Sequence, residues 1–490
     1  MKESISNYLR MRFMKLKRFL FLPVLMSFVI SGCSAFKSIQ TENRNQIDSL
    51  FSSELFQSAQ AAVSVFDLTD NKQLIRKNDK LLLRPASNQK ILTSASAYLF
   101  LGPEYKFTTS LYHTGIIKDS VCYGDLYVAG GFDPDFNSGD LDSLVLMVRQ
   151  AGIKRIEGNL YADVSAMDSL FWGEGWMWDD DPGSYAPYLT PLNINKDCVR
   201  IGYGPGEIGK PAIIDIIPNT SFCEIVNTSK VVQGGKSNLK ITRDWINRKN
   251  TILISGEISN SARRDTLSIN VFNPAAYFLK LMEESLVRNG LVFTGKTDTM
   301  TLGSGGEKIF SIERNLDSVI LTANKESDNL NAEMLLRALA FQNAGKRASA
   351  KDGIVLVDSM ISLAGLNPKN FVLVDGSGLS FYNLISAELI TGIFKYFYYD
   401  QPELFKKLLN SLPIAGIDGT LSNRMKKSAA FGRVHAKTGT ISGASSLSGY
   451  LFSSKNHLIT FSILIQNYAG GAARARAVQD KLCELLVQNF

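Results

Sequence analysis

The sequence predicts an α/β fold: an antiparallel sheet sandwiched by helices, built from both ends of the chain and interrupted by a large β-rich insertion. Three observations lead there. Ala62-Val63-Ser64-Val65-Phe66-Asp67 reads as a strand, with a partner over Gln73 to Arg76 joined through the turn residues Asp70-Asn71. Near the other end, Arg433 to Thr438, Ser446 to Phe452 and Leu458 to Gln466 form a meander, closed by a helical pattern from Ala472 to Val487. Between them, residues 105–310 carry short β-like runs (Val121 to Val128, Ile213 to Ile217, Thr251 to Ile258, Thr266 to Val271) separated by turns rich in Gly, Pro and Asp.

The helices of the sandwich are legible in order. Arg84-Pro85-Ala86-Ser87-Asn88-Gln89-Lys90 leads into Ile91 to Leu101, whose small and apolar residues suit a buried helix. Pro85 is tolerated just ahead of it. Asn273-Pro274-Ala275 starts a helix running to about Asn289, and Asn329 to Gln342 and Gly353 to Ala364 are amphipathic candidates. The insertion reads as one part or two, with the aromatic segment Trp172 to Trp178 near a junction. A chain of 490 residues exceeds one ordinary core. The expected organisation is a leader over 1–33, a polar tether over 34–45, a main domain from 46–104 and 311–490, and an inserted domain over 105–310.

Charge and cysteines narrow the setting. Six basic residues against Glu3 within positions 1–32 account for +5 of the formal +7, leaving +2 for the rest. A near-neutral remainder gives no support to nucleic-acid binding. Lys15, Lys17 and Arg18 precede an apolar run from Phe19 to Ile30, too short for a membrane span of ~20 residues but suited to an export signal. Met14 is a second candidate start. Four cysteines follow Cys33, namely Cys122, Cys198, Cys223 and Cys483, without C-x-x-C pairs or zinc spacing. An exported protein can form a disulfide, with Cys198 and Cys223 the favoured partners; buried free thiols are the alternative. His113, His435 and His457 are scattered, so no metal site is expected.

Three short patterns occur in order: Ser87-x-x-Lys90, Ser327-Asp328-Asn329 and Lys437-Thr438-Gly439. The first is cheap, since Ser34-x-x-Lys37 and Ser237-x-x-Lys240 also satisfy it. A specified triplet such as K-T-G arises by chance about once in several thousand positions. Together they carry weight. If Ser87 opens the helix, Lys90 lies one turn on and faces the same side. A serine hydroxyl needs an adjacent base to become a nucleophile. Lysine is that base only when neutral, which burial by Ile91-Leu92 and a second cation, Lys437, would favour. Ser327 can relay a proton to a leaving amine, and Asn329 can hold Lys90 and a substrate amide. Lys437 and Thr438 can hold a carboxylate, and Gly439 can let a substrate backbone lie along the strand. Singly, these residues would be a helix cap, a loop and a strand end.

In this combination the chain resembles the D-alanyl-D-alanine carboxypeptidase/endopeptidases of peptidase family S13, the class C low-molecular-mass penicillin-binding proteins. Pro85-Ala86-Ser87-Asn88-Gln89-Lys90 is similar to the family's P-A-S-x-x-K. Gly130-Gly131-Phe132-Asp133-Pro134 resembles its G-x-G-D-P segment, with Phe132 interrupting. Asp375-Gly376-Ser377-Gly378-Leu379-Ser380 matches D-G-S-G-L-S, and His435-Ala436-Lys437-Thr438-Gly439-Thr440 its final strand. The offset of 237 positions from Lys90 to Ser327 suits this family, whereas class A β-lactamases place a short helical stretch there.

The resemblance implies a serine β-lactamase/DD-peptidase-like transpeptidase domain acting on peptidoglycan peptides without metal or organic cofactor. Ser87 would be the nucleophile, Lys90 the base, Ser327 and Asn329 the second motif, and Lys437 the carboxylate anchor. Thr438 and Gly439 would bind substrate, and the backbone N–H groups of Ser87 and Thr440 would form the oxyanion hole. β-Lactam antibiotics would be covalent inhibitors. Ile30-Ser31-Gly32-Cys33 resembles a lipobox, which implies lipidation at Cys33 and a membrane anchor in the cell envelope or periplasm; an ordinary cleaved signal is the alternative. One departure stands out. Where the family often has Arg after D-G-S-G-L-S, this chain has Phe381, so recognition of a diaminopimelate side chain is not implied. Asp375 is expected to shape its loop, flanked by the turn residues Gly376 and Gly378. The rival readings are a serine β-lactamase and a catalytically silent wall-binding lipoprotein.

Overall fold

Five strands make the sheet that the two chain ends were expected to share. They are β1 (Gln60–Asp67), β2 (Lys72–Lys77), β3 (Val434–Ile441), β4 (Ala444–Phe452) and β5 (Leu458–Gln466), in the spatial order β2-β1-β5-β4-β3. Every neighbouring pair is antiparallel. β1 runs against β5 over its full length, from Gln60 opposite Gln466 to Asp67 opposite Ile459. The computed structural model describes residues 46–490; the leader, Cys33 and the tether at 34–45 lie outside them.

β5 is buried at every position and β1 at all but Gln60. Cover on both faces explains why their sequences are apolar runs rather than clean alternations. Alternation still sorts the partners. Val63 and Val65 share a core with Leu482, Cys483 and Leu486 of the C-terminal helix Ala473–Asn489. Ala62 and Phe66 face the other way, into a core with Ile390 and Phe394 of helix Ala387–Asp400. Helix Gln89–Phe100 runs through this second layer with Lys90 to Tyr98 all buried. A helix buried all round, its polar side chains small or bonded internally, belongs inside a helical layer. Here it packs on helices Leu316–Lys325, Asn329–Ala344 and Ala350–Leu363.

The inserted segment is less purely β than its sequence suggested. A five-stranded sheet runs in the order Thr297–Thr299, Leu160–Asp163, Leu126–Gly131, Lys106–His113, Glu307–Asn315, and two helices share its core. One of these, Pro274–Arg288, was expected. The other, Ser138–Gln150, was not, although Asn137 and Asp140 form a capping box and Leu141, Leu144, Val145 and Val148 follow at helical spacing. The run expected over Val121 to Val128 breaks at Gly124 into Val121–Tyr123 and Leu126–Gly131, which enter different sheets. A Cβ on Gly124 would lie 2.0 Å from the Thr114 carbonyl oxygen, so the chain crosses itself closely there. A second group of short strands is centred on Cys198–Gly204, flanked by Ile213–Ile217 and Asp265–Asn270. Strand Glu307–Asn315 runs across position 310, so the chain leaves this sheet only at Leu316.

The favoured disulfide is not formed. Cys198 and Cys223 are free and buried, as are Cys122 and Cys483. Each serves as a small hydrophobe in packed surroundings. Burial pushes the Cys223 thiol up to about 12 and that of Cys198 up as well, which disfavours the thiolate that disulfide chemistry needs. Among the described residues, no helix is long and apolar enough to cross a membrane.

Candidate active site

Ser87 sits in a single 3-10 turn, Ala86–Asn88, that feeds directly into helix Gln89–Phe100. Ala86 has φ of +47°, a left-handed conformation costing an alanine about 1–2 kcal/mol. Its carbonyl is pressed against Gly378, where a Cβ would come within 1.8 Å of the oxygen, and Gly378 itself has φ of +81°. Only glycine fits there. The turn sets Lys90 one helical turn beyond the serine, and Nζ lies 3.0 Å from Ser87 Oγ. Ser237 and Lys240 make the contrast: Lys240 opens strand Lys240–Arg243 and Ser237 precedes it in a loop, so no helical turn brings the two side chains to one face.

The Lys90 amine has three neighbours. Besides Ser87 Oγ, it donates to Asn329 Oδ1 at 2.6 Å and to the Ser377 carbonyl at 2.8 Å. Both of the latter can only accept. A neutral amine that commits two N–H bonds to them therefore points its lone pair at the serine hydroxyl. Burial is the main cause that brings the Lys90 pKa down to about 8, against the carboxylates of Asp375, Asp328 and Glu333, which favour the ammonium. The second cation acts differently from expectation. Lys437 is pushed well below its ordinary value by complete burial and then by the charge of Lys90.

Lys437 projects from β3, where its Nζ donates to Ser327 Oγ at 2.7 Å and to the Thr438 carbonyl at 2.9 Å. Ser327 has φ of +61° and precedes Asp328, whose side chain caps helix Asn329–Ala344. Strained backbone thus flanks both the serine turn and the second motif. The other Asn329 amide group, Nδ2, donates to the Tyr185 carbonyl at 2.6 Å, so the insertion forms one wall of the cleft. Thr438 Oγ1 meets Thr420 Oγ1 at 2.8 Å, and Thr440 is exposed at the open end of the strand. Ser87, Lys90 and Asn329 thus form one hydrogen-bonded group, adjoined by the Ser327–Lys437 pair and by Gly439, while the side chains of Thr438 and Thr440 turn to Thr420 and to Arg476.

Gly439 has a reason not anticipated from sequence. Its open face is turned inward, and a Cβ would fall 2.1 Å from Ser446 Oγ, 2.8 Å from the Pro85 carbonyl oxygen and 2.9 Å from the Ser87 amide nitrogen. Glycine here lets the serine turn lie against β3, besides any role toward substrate. The turn is tied down by Asn88 Nδ2, which donates to the Lys437 carbonyl at 2.9 Å, and by Ser446 Oγ, which donates to the Pro85 carbonyl at 2.6 Å. Gly439→Ala is expected to lower stability by about 1–3 kcal/mol through overpacking. Thermal melting would read that loss, and β-lactam acylation should slow because the serine turn is displaced.

Asp375 shapes its loop, as its glycine-rich surroundings suggested. Its carboxylate accepts from the backbone of Gly378 and Ser380, from Asn383 Nδ2, and from Trp176 Nε1 at 3.0 Å. Trp176 places the aromatic segment of the insertion at a junction with the main layer. Glu333 was missed. Its Oε1 accepts from the amides of Gly376 and Ser377 at 3.0 and 2.9 Å, which presents the Ser377 carbonyl to Lys90. Burial, then the nearby Asp375, raises the Glu333 carboxyl to about 7. Its signal was a charge one turn beyond Asn329, followed four residues on by Arg337, in the midst of an Ala- and Leu-rich helix.

Two departures from the family pattern acquire a structural meaning. Phe132, which interrupts the glycine segment, is buried with φ of +67°, a genuine outlier for a bulky residue. Phe381 lies 5.4 Å beneath the Arg84 guanidinium, whose Nε donates to the Phe381 carbonyl at 3.2 Å. An arginine therefore stands beside position 381, supplied from elsewhere in the chain.

Comparison with known proteins identifies the family of the chain. The profile of the D-Ala-D-Ala carboxypeptidase 3 (S13) family matches residues 43–489. A D-alanyl-D-alanine carboxypeptidase of Actinomadura sp. (strain R39) is 30% identical over 91% of this chain and 85% of its own length. The D-alanyl-D-alanine carboxypeptidase DacB of Haemophilus influenzae is 27% identical over 85% of this chain and 88% of its own. The crystal structure of penicillin binding protein 4 (dacB) from H. influenzae superposes with a TM-score of 0.81 at 26% identity, covering 90% of this chain and 99% of that one. A β-lactam complex of the same protein matches with a TM-score of 0.75 at 25% identity, over 89% of this chain and 98% of that one. The chain belongs to the D-Ala-D-Ala carboxypeptidase 3 (S13) family.

Proposed function

We propose that the chain is a serine-type D-alanyl-D-alanine carboxypeptidase and endopeptidase of peptidoglycan, with Ser87 as nucleophile and Lys90 as its base. The observation that carries the reading is the 3.0 Å approach of Lys90 Nζ to Ser87 Oγ beside two acceptor-only partners; once the amine is neutral, those two take its N–H bonds and leave its lone pair for the hydroxyl. Lys90 takes the hydroxyl proton as Ser87 Oγ attacks the carbonyl carbon of the penultimate D-Ala. The backbone N–H groups of Ser87 and Thr440 receive the oxyanion; in support, β3 runs against the Ser87 amide at Gly439. The C–N bond breaks as the leaving amine takes a proton from Ser327, hydrogen-bonded to Lys437, and the Lys90 ammonium replaces that proton, so that Lys90 is neutral again. Water then attacks the acyl carbon, Lys90 takes its proton, and the proton passes to Ser87 Oγ as the ester bond breaks.

Lys437 and Thr438 anchor the substrate carboxylate. The depressed proton affinity of Lys437 fits this role, because an arriving carboxylate supplies the counter-charge that restores the ammonium. Asn329 fixes Lys90 through its oxygen and can turn its amide nitrogen from Tyr185 to substrate. β-Lactams acylate Ser87 in the same way, with the leaving nitrogen still tethered. The inserted unit, expected over 105–310 and continued by its sheet to Asn315, walls the cleft through Tyr185 and Trp176. Export to the cell envelope and lipidation at Cys33 complete the reading.

Two assays test it. Release of D-Ala from a synthetic peptide ending in D-Ala-D-Ala is expected, with slow turnover of a chromogenic cephalosporin after one equivalent has reacted. Rapid continuous cephalosporin hydrolysis without D-Ala release would make the chain a β-lactamase instead.

A further inference from the structure

Three consecutive residues of the insertion, Asn195, Lys196 and Asp197, take left-handed conformations with φ of 52°, 61° and 53°. None is glycine, and such a run persists only where surrounding contacts over-determine it. Here they do. Asn195 Oδ1 accepts from the Ser138 amide at 3.1 Å, Asp197 Oδ1 accepts from the Ile194 amide at 3.1 Å, and the Val271 amide donates to the Asp197 carbonyl at 2.9 Å. The turn delivers Lys196 to the second motif of the cleft. Its Nζ lies 2.5 Å from Asp135 Oδ1 and 3.4 Å from Asp328 Oδ2, and donates to Asn331 Oδ1. Asn331 Nδ2 returns a bond of 3.0 Å to Asp135 Oδ2. Asp328, the clamped residue, stands between Ser327 and Asn329, and its Oδ1 caps the helix at the Asn331 amide across 2.9 Å.

We propose that Lys196 is a positioning residue for the reaction: its ammonium, reaching from the insertion, holds the Ser327-Asp328-Asn329 turn in place and neutralises the Asp328 carboxylate that faces Lys90. The inference rests on the serine mechanism proposed above. It makes the insertion part of the catalytic apparatus, through one ion-paired cluster rather than through contact with substrate.

The charges around the two lysines decide the expected effect. Lys90 is faced by the carboxylates of Asp375, Asp328 and Glu333, and its charge is felt by Lys437. Glu333 has Arg337 3.7 Å away, and Asp375 is held by neutral donors. Asp328 has Lys196. Burial works against the Lys196 ammonium, but Asp328 and Asp135 outweigh it and raise its pKa, so the cation persists at any working pH. Asp197 adds a further carboxyl on the same turn, which burial pushes well above its ordinary value and toward the neutral acid, and Asp133, beside Asp135, is paired with Arg314 at 3.4 Å. Without the Lys196 charge, Asp328 would favour the ammonium form of Lys90 more strongly. Less neutral base would then exist at a given pH, and the acid limb of acylation would move to higher pH.

The test follows fluorescent-penicillin acylation of the full chain against pH for wild type, Lys196→Met, Lys196→Arg and the double variant Lys196→Met/Asp328→Asn. Lys196→Met is expected to move the acid limb up by roughly one pH unit, about tenfold slower acylation on that side, with a smaller loss at alkaline pH. Lys196→Arg should restore the wild-type limb, and Asp328→Asn should pull the shifted limb back down. Lys196→Gln carries the same expectation should Lys196→Met prove insoluble. A folded Lys196 variant with the wild-type profile overturns the proposal. So does a loss uniform across pH that arginine fails to rescue, which would make the residue purely architectural. Failure of the wild type itself to label would instead overturn the serine mechanism.

Discussion

Ser87→Ala is expected to abolish covalent labelling by penicillin and to cut D-Ala release by about a million-fold, the loss typical when a nucleophile acting as one unit with its base is removed. The fold should survive. Ser87 Oγ has Lys90 as its side-chain partner, so the substitution removes one hydrogen bond worth about 1 kcal/mol. Intact-mass spectrometry after incubation with penicillin, beside a thermal melt, separates the two effects. An unlabelled but normally melting variant is the expected pair of results, and an acyl adduct on Ser87→Ala would show that another residue is the nucleophile. Combining it with Lys90→Met should cost little more than either change alone, because base and nucleophile act together.

Lys90→Met should lower acylation by about a thousand-fold or more, the range of a well-placed general base. Its wild-type counterpart should show an acid limb near the Lys90 value of about 8, because only the neutral amine can take the Ser87 proton. Stability gives an independent reading. The folded-state pKa is lowered from 10.5 to about 8, so between those values the unfolded chain binds more protons than the folded one. Stability of wild type relative to Lys90→Met should therefore rise with pH across that window, by up to about 3 kcal/mol. Denaturant midpoints for both proteins at several pH values would show the trend; a flat difference would mean that burial does not depress Lys90.

Much of this was legible in local pattern. The terminal strands and the serine helix show as apolar or small-residue runs, Asp328 caps the helix that follows it, and three motifs lay along these elements. The helical setting is what distinguishes Ser87 and Lys90 from Ser237 and Lys240, which stand on and before a strand. Other features carry no local mark. Lys196 acquires its meaning from Asp135 and Asn331, which are 61 and 135 positions away, and no window of sequence brings them together. Gly439 looked like a substrate-facing residue, while its closest neighbours prove to be Ser446 and the backbone of Pro85 and Ser87. The favoured pairing of Cys198 with Cys223 used compartment and position in the chain; packing keeps both as buried thiols.

Because β1 lies between β2 and β5, residues at opposite ends of the chain, such as Gln60 and Gln466, must find each other across 406 positions. Such long-range pairing is slow and comes late in folding. The serine turn leans on β3 and β4, with Pro85 and Ser446 meeting across 361 positions, whereas the inserted sheets close within themselves. A nascent or truncated polypeptide that ends before Val434 therefore carries Ser87 without the strands its turn packs against. Hydrolytic power is expected only once those strands have been made, and a nonsense mutation upstream of them should yield an inert product.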